Sequence, residues 1–244
     1  MTAPDSASAD HPSAAGLAAN LARVRNTIRE ACQRVRRDPA EVRLVAVTKT
    51  VPVDVVAAAR AAGIEDFGEN YAKELAAKAT AVRARWHFVG KLQTSNAARI
   101  ALHSDVVHSA EPGDALGRLA RRAARESRSL DTLIQVDFTG SRQGVDPRGI
   151  EPFLEEVARM VGLRPVGLMT LPPAHPDPER ARPFFVRLRE IRDELGGRWP
   201  ELRELSMGMS ADYSVAVEEG ATMVRVGTAL FGERPPSMRG AWPG

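Results

Sequence analysis

Lysine is scarce in this chain: only Lys49, Lys73, Lys78 and Lys91 stand among its 34 basic residues, the rest being arginine. Lys73 and Lys78 fall in a helical pattern and Lys91 in a loop, where solvation accounts for all three. Lys49 closes the apolar run Leu44-Val45-Ala46-Val47, and strand alternation puts it on the face of Val45 and Val47. Partial desolvation at the end of a buried strand lowers an amine's pKa and leaves it able to form a Schiff base with a carbonyl. A lysine whose head reaches solvent at the strand end is the structural alternative. Two other places suit an anion. Gly208-Met209-Ser210 precedes a helix starting near Ala211, and Gly227-Thr228 follows the last apolar run. Each puts a hydroxyl and unpaired backbone amides at a strand-to-helix turn, which holds phosphate well and which an ordinary helix cap also provides. Arg225 has the parity of Gly227, so its guanidinium lies one step below that turn; a salt bridge across the interior would serve it equally.

The elements that must position these groups follow from periodicity. An amphipathic helix over about 14–37 ends at Asp38-Pro39, after which eight short runs rich in β-branched residues alternate with Ala-rich helical stretches. The runs cover residues 43–50, 64–68, 86–90, 105–109, 132–138, 165–171, 204–208 and 222–227, with helices over 53–62, 70–80, 112–127, 148–161, 178–195 and 211–219 between them. Eight such units in 244 residues match the α/β class and a single (β/α)8 TIM barrel. A doubly wound open sheet is the competing topology, weakened by the lack of a Gly-rich dinucleotide fingerprint after the first strand. The expected organisation is a tail over 1–15, a barrel with an extra N-terminal helix over 16–234, and an irregular end over 235–244.

A closed barrel sets its first strand beside its eighth, so Lys49 would stand near the two anion turns. A ligand with an aldehyde at one end and a phosphate at the other would satisfy both, and pyridoxal 5′-phosphate fits. Arg225, facing a pyridine nitrogen, could only donate to it. The ring would stay unprotonated, a poor electron sink that disfavours transamination.

The segments VAVTKT, FGENY, WHFVGKLQ, VHS, GLMTLPP, LSMGMSADY and VRVGTALFGER occur in this order between Val45 and Arg234. Together they closely resemble the pyridoxal phosphate homeostasis protein family, whose fold is similar to the barrel domain of alanine racemase. The resemblance implies that Lys49 carries pyridoxal phosphate as an internal aldimine, that Arg225 faces the pyridine nitrogen, and that Ser210, Gly227 and Thr228 hold the phosphate. It sets Asn70 near the ring hydroxyl and makes His87 and Met207 further pocket lining. Where the family commonly reads Leu-Gln-x-Asn-Lys, this chain has Leu92-Gln93-Thr94-Ser95-Asn96, without the basic residue on which a cofactor-transfer role would rest. The loop from Gly140 to Gly144 also differs, carrying Arg142-Gln143.

The resemblance implies a pyridoxal phosphate carrier and regulator without established turnover. Two-base racemisation needs a second acid/base, which in alanine racemase a separate C-terminal domain helps to supply, and about ten residues follow the last barrel motif here. A pyridoxal-phosphate-dependent racemase or lyase is the alternative, and a cofactor-free lysine aldolase a third. Composition narrows the field. With 43% hydrophobic and 27% charged residues, disordered, collagenous and membrane-spanning classes are excluded. A single cysteine gives no disulfide framework or thiolate zinc site and suits a cytoplasmic home, and the five histidines lack short ligand spacing. The basic runs at 34–37 and 118–128 have no interleaved aromatics, so nucleic acid is not expected as a partner. Pyridoxal-phosphate-dependent apoenzymes are candidate partners, and either a monomer or a homodimer is compatible.

Overall fold

The structure is a computed structural model and describes residues 11–140 and 143–233. Its elements run α1 (Ala14–Arg34), β1 (Arg43–Val47), α2 (Val53–Ala61), β2 (Asp66–Glu69), α3 (Ala72–Ala81), β3 (Arg85–Phe88), α4 (Ala97–His103), β4 (Val106–Ala110), α5 (Asp114–Arg125), β5 (Leu130–Val136), α6 (Ile150–Ala158), β6 (Leu163–Thr170), α7 (Arg182–Gly196), β7 (Glu204–Ser206), α8 (Tyr213–Glu218), β8 (Met223–Val226) and α9 (Thr228–Phe231). The eight strands are parallel and close in sequence order, β8 pairing with β1 through Val45 opposite Arg225 and Ala46 opposite Val226. This is the (β/α)8 TIM barrel that the alternation predicts, and an open sheet is excluded.

Alternation divides each strand between two environments. Phe67, Trp86, Phe88, Ile134 and Val224 point outward into the layer shared with the helices, where they pack with Leu75, Ile100, Leu119 and Phe185. A second, smaller cluster of Val106, Leu133 and Met169 belongs to the barrel interior, whose remaining positions are largely polar. Helix α1 is capped by Ser13, whose hydroxyl accepts from the Gly16 amide, and it lays Leu17, Leu21, Val24 and Ile28 on one stripe against α8 and α9. Each of those side chains contributes about 1.5–3 kcal/mol by burial. The helix ends at Arg34, short of the expected Arg37, because Arg36 turns into the left-handed region at φ 56°. Helix α4 was not among the helices expected by range, whereas α9 is the helix expected to follow the Gly227-Thr228 turn. The expected segments at 1–10 and 235–244, and Arg142 of the divergent loop, lie outside the described residues; Ala14 and Ala15, inside the expected tail, are already helical. Among the described residues no helix is long and apolar enough to cross a membrane.

Candidate functional site

Two cavities open at opposite ends of the barrel. The larger, about 1140 Å³, lies at the strands' N-terminal end and is lined by Arg25, Arg29, Arg37, Arg43, Arg192 and Arg203 together with Asp66 and Glu204. The smaller, about 450 Å³, sits at the C-terminal mouth, where barrel enzymes place their chemistry, and its size is that of a small-molecule site. Lys49, Asn70, Ser210, Arg225, Gly227 and Thr228 all line the smaller one. Six residues drawn from the ends of β1, β2, β7 and β8 therefore converge on this mouth, which makes it the candidate site.

The lysine is held by its neighbours' backbone. Strand β1 stops at Val47, and Thr50 has φ 66°, a left-handed conformation that is unusual for a β-branched residue. The turn is pinned on both sides of Lys49. Lys78 Nζ donates to the Thr48 carbonyl at 2.6 Å and to Glu69 Oε1 and Glu74 Oε2, both at 2.6 Å. The Thr50 amide donates to the same Glu74 Oε2 at 2.7 Å, and Thr48 Oγ1 donates to Glu69 Oε1 at 2.7 Å. Lys78 is thus not a solvated helix lysine, as its position suggested, but a buried counter-ion with 3% exposure. Burial pushes the Glu69 carboxyl up, with Lys78 opposing the shift. The turn carrying Lys49 therefore has an ionic clamp beneath it.

The side of the cavity expected to take an anion is built from two loops. Ser210 Oγ accepts from the amides of Gly227 at 3.3 Å and Ala229 at 3.4 Å, so two N–H groups converge on one polar oxygen. The loop carrying Ser210 is set by Gly208, at φ 87°, where a Cβ would come within 2.5 Å of Ala216 Cβ, and by Asp212, which accepts from the Met209 amide at 2.6 Å. Asn70 is fixed from below by Gly90, where a Cβ would lie 2.0 Å from the Asn70 carbonyl oxygen. Its own Oδ1 is buried and has no hydrogen-bond partner among the described residues, while the residue lines the cavity. Arg225 is 4% exposed and has no carboxylate in contact among the described residues; it donates to Ser206 Oγ and, at 3.0 Å, to the Thr170 carbonyl. Burial lowers its pKa to about 10, which leaves it charged at neutral pH.

The chain matches the family model for the alanine racemase N-terminal domain over residues 19–235. The pyridoxal phosphate homeostasis protein of Pseudomonas aeruginosa is 41% identical over 225 residues, 89% of this chain and 96% of its relative, and that of Aquifex aeolicus is 38% identical over 88% and 96%. The chain belongs to the pyridoxal phosphate homeostasis protein family. Among solved structures, PipY of Synechococcus elongatus with pyridoxal phosphate bound superposes with a TM-score of 0.78 at 34% identity, covering 88% of this chain and all of that one. Membership agrees with the motifs strung from Val45 to Arg234.

Two of the residues expected in the family's pocket stand elsewhere in this chain. Met207 follows Ser206 with outward parity and is fully buried in the helix layer, while its neighbour Met209 lines the cavity. His87 points into the barrel but deeper down, fully buried between Asp66 and His108. His11, inside the expected tail, is a lining residue that the sequence did not single out. Burial lowers the pKa of both His87 and His108, His108 the more strongly. Folding therefore disfavours the charged form of both rings, whereas the unfolded chain protonates them near the ordinary value of 6.5. Folded values below the unfolded one mean that the unfolded state binds more protons as pH falls through about 6.5, so stability declines there. The melting temperature should drop from pH 7 to pH 5, and drop less steeply in His108→Gln, which takes up no proton. Parallel profiles would count against neutral buried rings.

Proposed function

We propose that this protein is a cytoplasmic holder of pyridoxal 5′-phosphate that serves cellular homeostasis of the cofactor, with Lys49 as the covalent attachment point. The observation that carries it is the convergence of an amine, an anion cradle and a donor-only guanidinium on one mouth cavity. The chain's membership of a family named for pyridoxal phosphate homeostasis, and the bound pyridoxal phosphate of PipY, support it.

The residues fit the group. Bound pyridoxal phosphate supplies an aldehyde that forms an imine with a primary amine and a pyridine ring that can take up electron density. Lys49 Nζ would form the C=N bond of a Schiff base, the aldehyde oxygen leaving as water. The amides of Gly227 and Ala229, exchanging Ser210 Oγ for a phosphate oxygen, would hold the phosphate together with the hydroxyls of Ser210 and Thr228; the unpartnered Asn70 Oδ1 would meet the ring hydroxyl. Arg225, a donor in every protonation state it visits, would keep the ring nitrogen unprotonated. A ring without a proton on its nitrogen suits storage rather than carbanion chemistry, and the stored cofactor would be available to dependent apoenzymes.

Phosphate recognition gives a direct test. Purified protein should hold pyridoxal phosphate far more tightly than pyridoxal. Ser210→Ala should weaken pyridoxal phosphate about tenfold, one hydrogen bond to a charged group, while leaving pyridoxal unchanged. Equal affinity for both forms would remove the anion cradle from the proposal.

A further inference from the structure

Below the mouth cavity a continuous line of polar side chains runs through the barrel interior. Arg225 Nη1 donates to Ser206 Oγ; Ser206 Oγ lies 2.8 Å from His108 Nδ1; His108 Nε2 lies 2.8 Å from His87 Nδ1; His87 Nε2 lies 2.8 Å from Asp66 Oδ1. The histidines and Ser206 have no solvent exposure, and Arg225 only 4%. One end lines the mouth cavity and the other, Asp66, lines the arginine-rich cavity at the base.

The end groups fix every proton between them. A carboxylate only accepts, so His87 must donate from Nε2. A neutral ring that donates at Nε2 must accept at Nδ1, so His108 donates from its own Nε2 and accepts at Nδ1. Ser206 must then give its single proton to His108, leaving its lone pairs for Arg225, which only donates. All four links point the same way, from the guanidinium to the carboxylate. A serine facing Arg225 without this chain would be free to rotate its hydroxyl. With it, the oxygen always presents a lone pair.

We propose that Ser206, His108, His87 and Asp66 are positioning residues for Arg225: a one-way hydrogen-bond chain that locks its guanidinium as a donor toward the mouth and balances its charge from the far end of the barrel. The Thr170 carbonyl provides the second anchor, so the guanidinium is held at two points and its remaining N–H groups are left to the cavity. Asp66 touches Arg43 at 3.7 Å and His87 at 2.8 Å, which connects the chain to the ionic layer at the base. As it concerns the ring nitrogen of a bound cofactor, the inference rests on the function proposed above; as it concerns the chain of protons, it does not.

The test has two arms. Nitrogen NMR of the imidazoles in the unloaded protein at neutral pH should show His87 and His108 both neutral and both as Nε2–H tautomers; an Nδ1–H tautomer or a charged ring at either position overturns the chain. In protein loaded with pyridoxal phosphate carrying labelled ring nitrogen, that nucleus should report an unprotonated, hydrogen-bonded nitrogen. Ser206→Ala should shift that signal and speed cofactor loss about tenfold, the loss of one link to a charged group. Ser206→Thr, which keeps the hydroxyl, should restore both. An unchanged ring signal and unchanged retention in a folded Ser206→Ala protein would overturn the positioning role. Failure of the wild-type protein to load at all would overturn the cofactor function, while the tautomer measurement still decides the chain.

Discussion

Lys49→Ala is expected to abolish the visible absorbance that pyridoxal phosphate gives with the wild-type protein, and to leave only cofactor that dialysis removes. The proposed phosphate cradle is remote in sequence from Lys49, so on this proposal Ser210, Gly227 and Thr228 would remain able to bind the anion. What is lost is the second fastening. A ligand held at one end by phosphate presents its aldehyde to the amine at a high effective concentration, and that advantage disappears with the amine. Retention should therefore fall by at least about 100-fold while the fold is unaffected, because Lys49 is half-buried at the strand end and takes no part in the hydrophobic clusters. Persistence of the band in the variant would move the attachment to Lys73 or Lys91.

The largest expected effect on stability belongs to Lys78→Met. The side chain fits the space of lysine, but two carboxylates, Glu69 and Glu74, lose their shared counter-ion inside the helix layer. Removing one partner from a buried ion cluster costs about 3–5 kcal/mol, which for a chain of this size lowers the melting temperature by roughly 6–20 °C. The Thr48 carbonyl loses its donor in the same step, and the left-handed Thr50 loses the cluster that steadies it. Lys78→Arg should recover part of the loss, since guanidinium can reach both carboxylates. A melting temperature for Lys78→Met within about a degree of the wild type's would show that the cluster contributes no net stability.

The contrast between the two lysines explains how far the sequence could be read. Lys49 was legible because its signal is local: a charge with the parity of Val45 and Val47 at the end of a β-branched run. Lys78 reads as one more helix lysine, since its i,i+4 partner Glu74 is an ordinary surface pair and its decisive partner, Glu69, meets it only after β2 joins the barrel with its even face inward. The eight strands were legible for the same local reason, and their closure made neighbours of Lys49, Arg225 and Gly227. Helix α4 escaped because seven residues offer barely two turns of periodicity. Met207 was placed in the pocket by family resemblance alone; alternation from Ser206 already turned it outward. His87 and His108 carry no mutual spacing in sequence, yet the register setting His87 opposite Val106 puts them two residues apart on paired strands. Contacts of that kind exist only across the sheet.

The most direct measurement is to load the wild-type protein with pyridoxal phosphate, reduce it with borohydride, digest it and locate the modified peptide by mass spectrometry. The expected result is a single stable adduct on Lys49. No adduct with excess cofactor, or an adduct spread over Lys73 and Lys91 with Lys49 unmodified, would contradict the assignment of the mouth cavity as a pyridoxal phosphate site.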